Sequence, residues 1–150
     1  MPSPVALVFL LMGASFAAGL GWFSWQVARV PADSPDRLIG QLRLSQAAAT
    51  LLTLSATIYA GLAAAAETAP GAAADIGIAG AFAGIALLAL LEEPRRALSL
   101  LAGAFAAHAL IDIAHRPGGL PMIAPWWLAV GGAAFDLVLA AVCFLPVLRK

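Results

Sequence analysis

Five apolar stretches, each close to the length a bilayer demands, most constrain what this chain can become. A helix needs about 20 apolar residues to cross a hydrocarbon core, and only helices and closed barrels can cross with their backbone polar groups satisfied. The stretches are Val5–Ala28, Leu38–Ala66, Ala72–Leu91, Ala97–His115 and Ala124–Leu148. Connectors rich in proline, glycine and charge divide them: Pro31 to Asp36, Glu67 to Gly71, Glu92 to Arg96 and Arg116 to Pro121. None is long enough to hold a soluble module. The expected fold class is therefore all-α, a polytopic membrane helix bundle with five transmembrane helices in one domain over residues 1–150. The third stretch carries Asp75 near its start and Gly77, Gly80 and Gly84 after it, which bilayer helices tolerate better than soluble ones do.

Composition agrees: 63% of residues are hydrophobic and 11% charged, against about 25% charged in soluble domains. The 8 basic and 8 acidic residues cancel. Without a basic stripe to neutralise phosphates, a nucleic-acid partner is excluded. The single cysteine, Cys143, offers neither an intrachain disulfide nor a multi-thiolate metal site. Small residues at Ala14, Ala17 and Ala18 imitate a signal peptide. However, no Lys or Arg precedes the first apolar run, and the run continues to Ala28, beyond the usual signal core of about 7–15 residues. It is read as a retained transmembrane helix.

Charge sets an expected orientation. Arg29, Arg37, Arg43, Arg95, Arg96, Arg149 and Lys150 fall on one side of a five-helix bundle, leaving only Arg116 opposite. The positive-inside rule then puts the N-terminus outside and the C-terminus in the cytoplasm. Trp22 and Trp25 on one side, and Trp126 and Trp127 on the other, match interfacial aromatic belts. The expected location is a bacterial cytoplasmic (inner) membrane, with the lipid bilayer as first partner.

Against this apolar background, His108, Asp112 and His115 stand out in the fourth stretch and Asp136 in the fifth. Titratable groups in hydrocarbon are costly, and an intramembrane cluster of them is a functional-site hypothesis by default. At 100° per residue, the first three fall within an arc of about 60°. His115 lies at the outer boundary, with Asp112 about 5 Å and His108 about 11 Å deeper, and Asp136 reaches about 16 Å down the returning helix. A short connector makes these two helices antiparallel neighbours. All four groups are expected to converge. Gln46, Thr50, Thr53 and Thr57 follow i, i+4, i+7, i+11 spacing on the second stretch. Either they back-bond to their own helix, or they face the fourth helix and line a polar cavity.

Three chemistries compete for the cluster. His108, Asp112, His115 and Asp136 could bind a divalent metal such as Zn²⁺, with Asp112 as a ligand or as the base beside the ligands. They could form a proton relay, which histidine suits. Or they could pair among themselves and only fix helix packing. No G-x-G-x-x-G after a strand, P-loop, G-x-S-x-G or H-E-x-x-H occurs. His108 and His115 cannot be the two axial ligands of one haem, being about 10.5 Å apart along one helix. Gly80 with Gly84, and Gly103 with Ala107, are small-x-x-x-small pairs suited to a contact within the chain or to a homodimer.

His108-Ala-Leu-Ile-Asp112-Ile-Ala-His115, a turn holding Pro117, Gly118, Gly119, Pro121 and Pro125, and then Phe135-Asp136 resemble a family of small bacterial integral membrane proteins of unknown function. That family carries H-x-x-x-D-x-x-H and a later Asp in its last two helices. The resemblance covers residues 104–145 and implies a shared polar site at His108, Asp112, His115 and Asp136. It departs from the family at Arg116, where a second histidine often stands. A looser similarity, in chemistry alone, is to seven-helix intramembrane zinc hydrolases such as alkaline ceramidases. The expected function is a metal-dependent hydrolase acting on a lipid or other apolar substrate. The alternative is a non-enzymatic protein: an accessory subunit of a larger membrane complex, a homo-oligomer, or a transporter-like proton or ion path.

Overall fold

The computed structural model describes residues 3–66, 71–115, 119–120 and 123–148. Among them are five helices: α1 (Pro4–Arg29), α2 (Pro35–Ala65), α3 (Ala72–Leu91), α4 (Pro94–Ala114) and α5 (Trp126–Leu148). Each is long and apolar enough to cross a membrane. Glu67 to Pro70, Arg116 to Gly118, Pro121, Arg149 and Lys150 lie outside the described residues.

Helix starts differ from the sequence expectation for a common reason. Residues read as breakers are first-turn prolines: α2 begins at Pro35 rather than Leu38, and α4 at Pro94 rather than Ala97. A proline at the first helical position loses nothing, because the N–H it lacks has no intrahelical partner there. Ser3 and Ser34 cap α1 and α2, their hydroxyls accepting from the Ala6 and Asp36 amides at 3.2 Å. α3 follows Gly71, whose φ of 94° is left-handed backbone that glycine adopts without penalty.

α2 touches all four other helices and α4 packs on α2, α3 and α5, whereas α1 touches only α5 and α2. The core is built from Leu44, Leu52, Leu98, Leu101, Phe105 and Leu139, interleaved with buried alanines that let the helices approach closely. Gly40 marks the tightest approach of α2 to α1, since a Cβ there would lie 2.8 Å from Val27 Cγ2. Gly80, Gly84 and Gly103 instead face outward, and a Cβ at any of them would meet nothing within 4 Å. Among the described residues, none of these three glycines marks a close helix contact within the chain.

The end of the bundle where α1 and α5 finish and α2 and α4 begin is held by side chains donating to backbone. Pro146 sits inside α5 and has no N–H for the Val142 carbonyl four residues earlier. The Ser24 hydroxyl of α1 supplies the missing donor at 2.6 Å. The Pro146 carbonyl, in the last turn, accepts from Arg37 Nη2 at 3.0 Å and Gln41 Nε2 at 3.5 Å. Arg37 Nη1 also donates to Val30 O at 2.8 Å, and Arg95 Nη2 to Val147 O at 3.1 Å. Cationic donors suit this position, because helix C-terminal carbonyls carry partial negative charge.

Candidate functional site

α4 and α5 form the most extensive helix pair, and it brings His108, Asp112 and Asp136 together. His108 Nδ1 lies 2.5 Å from Asp136 Oδ2 and 4.0 Å from Asp112 Oδ2. All three are buried, at 3%, 1% and 1% exposure. One ligand atom from each can be chosen so that none is more than 4.8 Å from the others, and the group could hold a metal ion. Two ligands on opposite sides of a metal are about 4.4 Å apart at most, so closing around an ion asks for only small side-chain movements.

Glycine makes room for the carboxylate pair. Gly132 stands one helical turn before Asp136, and a Cβ at that position would collide with Asp112 Oδ2. Phe82 of α3 packs its ring edge-on to His108 at 4.7 Å, fixing the imidazole from the other side.

His115 is not brought into this group. α4 ends at Ala114, and His115, with φ −74° and ψ 78°, has left the helix. Its ring turns to α3, where Nε2 lies 3.0 Å from Asp75 Oδ1, while Nδ1 donates to Ile111 O at 2.9 Å. Since Nδ1 faces a carbonyl and must carry its proton, a second proton has to lie between Nε2 and Asp75. Both ring nitrogens are thus engaged, which removes His115 from the ligand set expected from the sequence.

Tyr59 of α2 links the two groups, stacked on His115 at 5.4 Å and edge-on to His108 at 6.0 Å. Between them is a cavity of about 10 Å³, bordered by Tyr59, Asp75, His108, Asp112 and His115. That is at the lower limit of the room one water needs, about 10–15 Å³. Neither Tyr59 nor Asp75 was singled out from the sequence. The available signals were the chain's only tyrosine, in an apolar helix, and an acid at the start of a helix antiparallel to α4.

The polar stripe of α2 lies elsewhere. Gln46, Thr50 and Thr57 are exposed and Thr53 is half-buried. Thr50, Thr53 and Thr57 donate to the carbonyls of Gln46, Ala49 and Leu54 in their own helix at 2.9, 3.0 and 2.9 Å. None of the four lines either cavity described here.

Above the cluster opens a crevice of about 390 Å³, with α1, α2 and α5 as walls and His108, Asp112 and Asp136 at its floor. Its apolar lining includes Phe9, Met12, Phe16, Trp127 and Phe135. Phe9, Met12 and Phe16 are about half exposed, at 49%, 54% and 54%, so the mouth lies on the side of the bundle. Among the described residues, five buried oxygens around the two cavities lack a well-formed hydrogen bond: Tyr59 Oη, Asp75 Oδ2, both Asp112 oxygens and Asp136 Oδ1, the Tyr59 hydroxyl and the Asp112 carboxylate being close enough to interact.

No protein-family model, curated protein or solved structure matches the chain. The site has to be read from its own chemistry.

Proposed function

We propose that this chain is a multi-pass protein of a bacterial cytoplasmic membrane that binds a divalent metal, Zn²⁺ being a fitting ion, at His108, Asp112 and Asp136 and hydrolyses an apolar, lipid-type substrate. One observation carries the reading. Among the described residues, both Asp112 oxygens and Asp136 Oδ1 are buried without a well-formed hydrogen bond beside an imidazole, at the floor of an apolar crevice. Buried anionic acceptors left unsatisfied are costly, and in native proteins they mark an ion, a water or a catalytic role.

Three protein ligands with room beside them are the pattern of catalytic zinc sites. A bound divalent ion supplies Lewis-acid polarisation of a substrate carbonyl and activation of water. The chain's own residues divide the remaining work. Asp136 orients the His108 ring through Nδ1, Asp112 offers an oxygen to the ion or takes a proton from the attacking water, and the aromatic walls exclude bulk water. The Arg29, Arg37 and Arg95 end supports a cytoplasmic placement of the α5 C-terminus by the positive-inside rule, and hence an outer-half location for the cluster.

Metal analysis of detergent-purified protein tests this reading. About one equivalent of metal is expected in the wild type, lost in His108→Ala and Asp136→Ala and sharply reduced in the near-isosteric Asp112→Asn. Sub-stoichiometric metal in the wild type, unchanged in all three variants, would sink it.

A second reading, a non-enzymatic subunit or ion path, rests on a different observation. The Asp75–His115 pair, Tyr59 and the small cavity between them continue the line of titratable groups from His108 towards the end of α4. The outward Gly80 and Gly84 face would serve a homo-oligomer or a larger complex.

A further inference from the structure

The crevice carries information about its occupant beyond being apolar. Its floor presents two carboxylates, an imidazole and the Tyr59 hydroxyl, and among the described residues no Lys or Arg lines it. Arg37 and Arg95 are tied to α5 carbonyls at the opposite end of the bundle. With a divalent ion held by Asp112 and Asp136 the floor sums to zero charge, so an anionic headgroup drawn to it would give up its hydration with no guanidinium or ammonium to receive it. In an apolar enclosure that desolvation is strongly unfavourable.

Size restricts the tail. About 390 Å³ is near the lower end of the range for ligand pockets, about 300–1,000 Å³. It accommodates one chain and not two. The lateral mouth beside Phe9, Met12 and Phe16 lets the tail lie along α1 while the head reaches the floor. A cationic head would compete with a metal for Asp112 and Asp136, so the metal-site reading, on which this inference rests, leaves an uncharged head.

We propose that the crevice between α1, α2 and α5 selects a single-chain apolar molecule with an uncharged polar head, an ester, amide or alcohol on one acyl or prenyl chain, and rejects anionic lipids. The aromatic walls hold the chain, and the His108, Asp112 and Asp136 floor receives the head.

Photo-crosslinking of the full chain in detergent micelles tests the proposal, with monooleoylglycerol carrying a diazirine in its acyl chain as the probe. Label is expected on residues 9–17, 55–59 and 127–138, the α1, α2 and α5 walls. Unlabelled monooleoylglycerol is expected to compete at concentrations about tenfold lower than oleate, oleoyl lysophosphatidate, oleylamine or dioleoylglycerol, a discrimination set by the desolvation of a charged head and by volume. Ala17→Phe, which fills the crevice without touching the polar floor, is expected to abolish labelling and leave metal content unchanged. Equal or better competition by any charged or two-chain lipid overturns the proposal, as does label outside those walls or undiminished label in Ala17→Phe. Metal measured on the same samples separates the two readings. Metal with no headgroup selectivity overturns this proposal alone, whereas selectivity without metal overturns the metal site alone.

Discussion

The two ends of this bundle treat buried polar groups in opposite ways. At the basic end, Ser24, Arg37 and Gln41 each donate to a backbone carbonyl that the α5 proline or the α5 terminus would otherwise leave without a donor. At the other end, among the described residues, five oxygens of Tyr59, Asp75, Asp112 and Asp136 are buried without a well-formed hydrogen bond. A satisfied polar contact stabilises by roughly 0.5–1.5 kcal/mol, whereas an unsatisfied buried group costs about 1–3 kcal/mol. The first end holds helices together, and the second carries a cost that packing alone does not explain. Local violations of this kind collect where a protein does chemistry.

Substitutions at the two ends should therefore differ in sign. The largest effect is expected for Arg37→Ala, which strips donors from Pro146 O and Val30 O at once. A loss of about 3 kcal/mol is expected, at the upper end for hydrogen bonds to a charged group, read as a lower thermal midpoint in detergent with metal content unchanged. Ser24→Ala leaves Val142 O without the donor that Pro146 cannot supply, and about 1–2 kcal/mol should be lost in the same assay. At the opposite end, Asp112→Leu should raise the stability of metal-free protein by about 1 kcal/mol while abolishing metal binding, since a well-packed apolar residue commonly improves on an uncompensated buried carboxylate. A lowered midpoint there would break the contrast and return Asp112 to a packing role. Smallest of all, Thr57→Val should change stability by less than about 0.5 kcal/mol, because its hydroxyl only back-bonds to Leu54 on an exposed face.

Much of this was legible in the sequence, and each failure has its own cause. The five helices follow from apolar length, which a bilayer-sized span makes unambiguous. His108, Asp112 and Asp136 were foreseeable because two sit at i, i+4 and the third returns at matching depth on an antiparallel neighbour. His115 was misassigned because a shared helix face does not decide a partner: it borders the same small cavity as His108 and Asp112, but its ring meets Asp75 of α3 instead. Pro35 and Pro94 were read as breakers because proline starts a helix as readily as it ends one. Of the two readings of the Gln46 to Thr57 stripe, back-bonding of the threonines to their own helix holds and the polar cavity does not. Asp75 and Tyr59 left no periodic trace, since each is a single polar residue whose partner comes from another helix.

The collision that a side chain at Gly132 would cause with Asp112 ties two distant positions into one recognition pattern. A chain that closes the same two carboxylates around an imidazole in this arrangement is expected to carry His-x-x-x-Asp on one helix and Gly-x-x-x-Asp on the next, since a side chain in place of Gly132 would make the Asp112 carboxylate shift. That paired signature separates chains able to assemble this site from those that merely carry polar residues in apolar helices. A relative with any larger residue in place of the glycine is predicted to have lost the acid equivalent to Asp112 as well.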